Sequence, residues 1–205
     1  MAIKTMGLIL AGGKSRRMKG LEKSFVKLSG ISLLERVVDR LASQVDQIVL
    51  NANGDVSRFH SFGLPVVSDE NHGYLGPLAG ILAGMEYAQR SNCEWIVSVA
   101  VDTPFFPKDL VEVLFESIDT SMISLAAINN DTSEVIRQPT FGLWSVSLAQ
   151  DLRSALSKGV RKIVSWTDQY ESKRAVFGQT PINPFFNINT PDDLIYAEKV
   201  LKIVQ

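Results

Sequence analysis

Short apolar runs alternate along this chain with segments whose apolar residues recur at helical spacing. That alternation restricts the fold to an α/β architecture built on a doubly wound, mostly parallel sheet. Strand-like runs fall at 6–10, 47–51, 65–68, 95–101, 122–128 and 140–144. The first helical pattern carries Ile31, Leu34, Val37, Val38 and Leu41, with Ser32 and Glu35 spaced as a capping box. A second helix is predicted over 77–88, with Pro77 in its first turn and Leu78, Ile81, Leu82 and Met85 on one face. A third follows Pro107, and two more are predicted over 146–157 and 191–203. The last has Thr190 as its cap, Pro191 at the first turn, and Asp192 and Asp193 where the helix dipole favours them. The polar stretch 129–138 reads as an exposed loop. Ligands of such sheets bind beyond the carboxyl ends of the strands. Three features lie at those ends: the loop at 10–13, Asn51, and Asp102.

Composition narrows the chemistry. The chain has 205 residues, 45% hydrophobic and 21% charged, enough for one sizeable core and consistent with one domain over 1–205. Its 21 basic and 22 acidic residues leave a formal net charge of -1, so no global field draws in nucleic acid or an anionic membrane. A single cysteine, Cys93, excludes an internal disulfide and a cysteine-rich zinc site, and reads as a small packing residue. With only two histidines, a multi-histidine metal site is disfavoured; a metal here would be a hard cation held by carboxylates. No apolar stretch approaches the roughly 20 residues of a membrane span or resembles a secretory leader, so the expected compartment is the cytoplasm.

The stretch after the first strand is the richest in chemistry. Gly12 and Gly13 let backbone N–H groups approach a phosphate, and Lys14, Arg16, Arg17, Lys19 and Lys23 supply positive charge. The plainer alternative is a strand-to-helix turn with a solvated basic face. Gly13-Lys14-Ser15 is not a P-loop, because the glycine that motif requires five positions earlier is Leu8. The dinucleotide fingerprint fails as well, since Gly12 and Gly13 are adjacent. Asp102, followed by Thr103-Pro104, suits either a magnesium ligand or a turn cap. Asn51 and Asn53, and again Asn187 and Asn189, are separated by one residue; in extended chain each pair faces one side. Either pair equally suits turns and caps. The small residues of Gly76-Pro77-Leu78-Ala79-Gly80 allow close approach of a substrate or another backbone. Trp144 and Trp166 read as core or groove aromatics, and His72 and Tyr74 receive no role.

Taken together, Leu10-Ala11-Gly12-Gly13-x-Ser15-x-Arg17-Met18 with Lys23, then Gly76-Pro77-Leu78-Ala79-Gly80, Asp102-Thr103-Pro104 and Asn187-Ile188-Asn189-Thr190-Pro191, resemble the molybdenum cofactor guanylyltransferases. The resemblance runs from Leu10 to Leu194 and implies a Rossmann-like nucleotidyltransferase fold. It implies transfer of GMP from GTP to the terminal phosphate of molybdopterin, with Mg2+ as cofactor and pyrophosphate as second product. Leu10, Ala11, Gly12 and Gly13 would contact GTP by backbone, and Lys23 would bind its phosphates with Arg17 assisting. Asn51 and Asp69 would hold the nucleoside, and Asp102 would ligate the metal. Gly80, Asn187 and Asn189 would lie on the pterin side. Cofactor-biosynthesis and apo-molybdoenzyme delivery proteins are the macromolecular partners such a role implies. A cytidylyltransferase acting on molybdopterin, a sugar- or polyol-phosphate nucleotidyltransferase, and a non-catalytic GTP-binding adaptor are the alternatives. Two departures from the family pattern stand in the loop: Lys19 where glycine is usual, and Glu22 where aspartate is usual.

Overall fold

The structure, a computed structural model, describes residues 3–12, 22–69, 76–129, 134–178 and 183–204. The chain begins with strand β1 (Thr5–Leu10) and, past a short 3-10 turn at Lys23–Phe25, forms a small antiparallel hairpin of β2 (Lys27–Leu28) and β3 (Ile31–Ser32). Helix α1 (Leu33–Ala42) leads to β4 (Gln47–Asn51), a 3-10 segment at Val56–Phe62, and β5 (Val66–Val67). Then come α2 (Pro77–Arg90), β6 (Trp95–Ala100), α3 (Leu110–Ile118), β7 (Ile123–Asn129) and β8 (Val135–Ser145). The chain ends with α4 (Ala149–Ser157), α5 (Ile163–Thr167), β9 (Lys173–Phe177) and α6 (Pro191–Val204). Seven strands form one sheet in the order β5-β4-β1-β6-β8-β7-β9. Four of its six pairings are parallel; only β8 runs against its neighbours β6 and β7. The mostly parallel sheet predicted from the alternation is therefore present.

Alternating strand side chains divide the core into two layers. Ile9, Leu50, Val97 and Val99 pack with Leu34, Val37 and Leu41 of α1 and Leu110 and Leu114 of α3. Met6, Leu8, Val49 and Ile96 pack on the other side with Leu78, Ile81 and Met85 of α2 and Leu152 of α4. That second layer contains Trp144 and Trp166, both fully buried and stacked with ring centroids 6.0 Å apart. Cys93 is buried there too, and burial pushes its thiol up, which suits packing rather than nucleophilic work. A third, smaller cluster joins Val26, Leu28 and Leu33 to Ile188 and Ala197. It fastens the segment after the glycine loop to the start of α6.

Three expectations need correction. Ile31 lies in β3 and is exposed, because the capping box begins α1 one residue beyond Ser32. In that box Ser32 Oγ accepts from the Glu35 N–H (3.1 Å) and Glu35 Oε2 accepts from the Ser32 N–H (2.8 Å). Of the expected loop over 129–138, the described residues other than Glu134 are sheet: Asn129 ends β7, and residues 135–138 belong to β8, with residues 130–133 outside the described part. Ladder pairing of Ala127 with Arg137, Ile128 with Ile136 and Asn129 with Val135 overrides the polar local sequence. The helix predicted over 146–157 is divided into a 3-10 turn at Val146–Leu148 and α4.

Candidate active site

A cleft of about 620 Å³ opens at the carboxyl ends of β1, β4 and β6. Leu10 and Gly12 follow from β1, Asn51 and Asn53 from β4, Asp69 from β5, and Val101 and Asp102 from β6. The antiparallel β8 contributes through its amino-terminal half, which lies beside the carboxyl end of β6. There Leu125 opposes Gly142 and Ala127 opposes Arg137, so Ala126 alone faces the four residues 138–141 of β8. A bulge of that kind re-aims side chains, and Pro139 within it has no N–H to give a ladder. Gln138, Pro139 and Thr140 consequently form a wall of the cleft. No sequence reading singled them out; the Gln-Pro step inside an apolar strand was the available signal.

Two polar clusters face the cleft. In the first, Asp69 is buried and its carboxylate is gripped by two amides. Asn51 Nδ2 donates to Oδ1 (2.9 Å) and Asn53 Nδ2 donates to Oδ2 (2.8 Å). Asn53 Oδ1 in turn accepts from the Asp69 backbone N–H at 2.9 Å. The pair of asparagines separated by Ala52 thus acts as one clamp, with Ala52 itself in the core. A carboxylate has about four acceptor positions, so each oxygen keeps capacity toward a ligand.

In the second cluster, Lys23 Nζ donates to Asp102 Oδ2 (2.6 Å) and to Asn189 Oδ1. Thr103 Oγ1 donates to Asn187 Oδ1 at 2.7 Å and lies 3.2 Å from Asp102 Oδ1. The backbone holds this group in register. The Ile188 N–H donates to the Asp102 carbonyl at 2.8 Å, and Ile188 is buried in the third core cluster between its two asparagines. Asp193 completes the support: its Oδ2 accepts from the N–H groups of Asn189 (2.9 Å) and Thr190 (2.8 Å), while Thr190 Oγ1 caps its own N–H. Burial pushes the Asp193 carboxyl up, but those N–H groups and the Thr190 hydroxyl outweigh it and hold the group below its ordinary range.

Helix α2 presents its amino end to the cleft through Gly76 and Pro77. Gly76 has φ 81, a left-handed conformation that favours glycine, and as N-cap it brings no side chain to the helix's first N–H groups. The amino end of this 14-residue helix carries the positive end of its dipole. Gly80, expected on the pterin side, is buried in α2 against Asn51 and Leu10, which line the cleft. A Cβ there would overlap Asn51 Oδ1 and lie 2.8 Å from Asn51 Cγ. Its smallness makes room for the asparagine. Gly13 and Arg17, with Lys14, Arg16 and Lys19, lie outside the described residues. Ala11 is described and buried, its N–H donating to the Asn51 carbonyl at 2.9 Å, so this contact is spent within the sheet.

Oxygen donors from two elements, Asp102 and Asn189, converge on a positive charge, that of Lys23. Among the described residues no group of three or more His, Cys, Asp or Glu side chains surrounds a common point. Such a set fits a hard divalent cation that takes one carboxylate and completes its shell with substrate phosphates and water. It does not fit zinc.

A glycine-bearing strand end, a carboxylate clamped by two asparagines and an Asp–Lys pair lie together beyond the carboxyl ends of the parallel strands, where α/β domains bind their ligands. The chain belongs to the MobA-like NTP transferase family, whose domain model it matches over residues 7–173. A relative from Nitrobacter hamburgensis named molybdenum cofactor guanylyltransferase is 44% identical over 200 residues, covering 96% of this chain and 94% of the relative. One of the same name from Rhodopseudomonas palustris is 42% identical over 199 residues, covering 96% and 93%. The solved structure of molybdopterin-guanine dinucleotide biosynthesis protein A from Archaeoglobus fulgidus superposes with a TM-score of 0.74 at 25% identity, covering 97% of this chain and 99% of that one. A 4-diphosphocytidyl-2C-methyl-D-erythritol synthase from Anaerococcus prevotii, at 16% identity and a TM-score of 0.72, shares the fold. Among the described residues no helix is long and apolar enough to cross a membrane.

Proposed function

We propose that this chain, acting as one domain, is a magnesium-dependent guanylyltransferase that moves GMP from GTP to the terminal phosphate of molybdopterin. The observation that carries the reading is the meeting of Lys23, Asp102 and Asn189 at the mouth of β6, beside the Asn51–Asn53–Asp69 clamp. The names of the near full-length relatives supply the substrates. An oxygen of the molybdopterin phosphate attacks the α-phosphorus of GTP. The bond from that phosphorus to the bridging oxygen breaks, and pyrophosphate leaves with the electron pair. A phosphate monoester is already an anionic nucleophile near neutral pH, so no side-chain base is required.

What remains for the protein is positioning and charge stabilisation. Asn51 and Asp69 hold the nucleoside, and Gly12, with Gly13 as the family resemblance implies, meets the phosphates through backbone N–H groups. Lys23 neutralises the triphosphate with Arg17 assisting. Asp102, with the amide oxygens of Asn189 and Asn187 nearby, would hold magnesium. When bound, magnesium would offset negative charge on the triphosphate and on departing pyrophosphate. The acceptor phosphate enters from the side of Asn187 and the β8 bulge. Apo-molybdoenzyme delivery proteins are the partners expected to receive the product.

The test is incubation with molybdopterin, magnesium and each nucleoside triphosphate in turn, with pyrophosphate release and product mass as readouts. GTP consumption that yields a guanine dinucleotide of the pterin is expected. Turnover of CTP alone, or of GTP only with a sugar phosphate, would overturn the substrate assignment.

A further inference from the structure

Arg58 lies outside the cleft, yet it touches both halves of the site. Its Nε donates to Glu22 Oε2 at 2.8 Å and to Oε1 at 3.1 Å, while its Nη2 donates to the Asn53 backbone carbonyl at 2.9 Å. Glu22 immediately precedes Lys23, the residue bonded to Asp102 and Asn189. Asn53 is the residue that doubly clamps Asp69. One guanidinium therefore ties the segment carrying the phosphate-binding lysine to the loop carrying the nucleoside clamp.

The same two segments also touch through apolar contacts. Phe25 stacks on Phe59 with centroids 5.4 Å apart and lies 6.3 Å from Phe62. Those ring contacts hold the segments together but are less directional than hydrogen bonds. A planar fork that fixes a carboxylate on one side and a carbonyl on the other restrains the relative orientation of the two segments. The pair is partly buried, with side-chain exposures of 27% and 30%, so solvent weakens it without abolishing it.

We propose that Arg58 and Glu22 are positioning residues, a strut that sets the distance and orientation between the nucleoside clamp and Lys23. This rests on the guanylyltransferase reading for the nature of the ligand. The benefit of such a strut appears only for a ligand that spans both halves. With the halves held in register, a nucleoside triphosphate meets both without paying to order them. A fragment that occupies one half gains nothing.

The experiment compares the wild type with Arg58→Ala, Arg58→Lys and Glu22→Asp. Affinities for GTP, for guanosine and for pyrophosphate are measured in magnesium by competition, alongside thermal midpoints and steady-state kinetics. Arg58→Ala is expected to weaken GTP binding about tenfold and to raise KM for GTP in parallel, while affinities for guanosine and pyrophosphate stay within about twofold. Arg58→Lys keeps the charge and loses the fork, and Glu22→Asp shortens the reach by one methylene; both are expected to fall between. Unchanged GTP affinity in Arg58→Ala would overturn the strut. So would equal losses for GTP and both fragments together with a lowered midpoint, which would make the pair a merely structural contact. Wild-type use of a different nucleotide would count against the guanylyltransferase reading alone, and the comparison would then be run with that nucleotide and its nucleoside.

Discussion

Lys23 sits between acceptors that the chain brings from far apart, Asp102 after β6 and Asn189 before α6. Its ammonium is the cation those oxygens hold in the free protein. In the proposed guanylyl transfer, metal and nucleotide would displace it from Asp102, and the freed lysine would then be available to phosphate. Replacing Lys23 by methionine keeps the stem and removes the competitor. Mn2+ titrated into nucleotide-free Lys23→Met, followed by electron paramagnetic resonance, is expected to bind about fivefold more tightly than to wild type, matching a partly buried ion pair of ~1 kcal/mol. Equal affinities would show that the lysine does not occupy the cation position. Asp102→Ala makes the complementary test. Turnover is expected to drop roughly 100- to 1,000-fold at saturating magnesium, the usual scale for losing one preorganised charge-stabilising contact. Cooperative unfolding should persist, because the Asp102 main-chain bond to Ile188 does not involve the side chain. Near-normal turnover would sink the assignment. Glu22 gains a reason at this scale too. The family pattern has aspartate there, and the longer residue is the one that reaches Arg58. The sequence could display the departure but not the partner, since residues 36 positions apart meet only once β4 has been placed beside β1.

Elements bring the residues together, and here two glycines of α2 have separate jobs. Gly84 faces Leu8, and an added Cβ would lie 2.7 Å and 2.9 Å from its two methyl carbons. Gly80, one turn earlier, faces Asn51. Gly84→Ala is expected to cost about 1–3 kcal/mol of stability by overpacking, with KM for GTP unchanged. Gly80→Ala must displace Asn51 from the clamp, and KM for GTP is expected to rise roughly tenfold. Denaturant unfolding beside steady-state kinetics checks both; equal effects on KM would refute the division. The elements were legible where local pattern and burial agree. The capping box of α1, the apolar run of β6 and the Pro-Asp-Asp start of α6 announce themselves. By contrast, β9 reads Lys-Arg-Ala-Val-Phe and was missed, because its strand character comes from parallel pairing with β7 rather than from its own composition. The bulged wall of β8 was hidden for the same reason. The asparagine pairs were legible as pairs, but their partners, Asp69 and the Lys23–Asp102 group, are set by sheet register.

At the scale of the whole molecule, two helix starts and one joint between helices depend on charged side chains, and these make stability depend on pH. Ser32 hydroxyl and N–H donors hold Glu35 below its ordinary value at the start of α1. Hydrogen bonds from Tyr170 and then Trp166 do the same for Asp151 of α4, and Asp193 is held down at the start of α6 despite its burial. A carboxyl with a lowered folded pKa contributes stability above its unfolded value, here about 4, and loses that contribution as pH falls through the lower folded value. Tyr170 behaves oppositely. Burial, then its bond to the Asp151 carboxylate, pushes it from 10.0 up to about 12. Its contribution is complete below pH ~10 and disappears as pH rises through the folded value. Asp151 and Tyr170 share one hydrogen bond, the link between α4 and the turn after α5, so acid and alkali attack the same joint. Tyr170→Phe is accordingly expected to lose part of the alkaline limb relative to wild type, with a smaller change on the acid side because Trp166 still donates to Asp151 at 3.1 Å. Urea midpoints measured across pH 3 to 12 for both proteins test this, with tyrosine absorbance following the phenolate directly. If the midpoints of the two proteins keep a constant separation from neutral pH to the alkaline end, the joint does not carry the pH dependence.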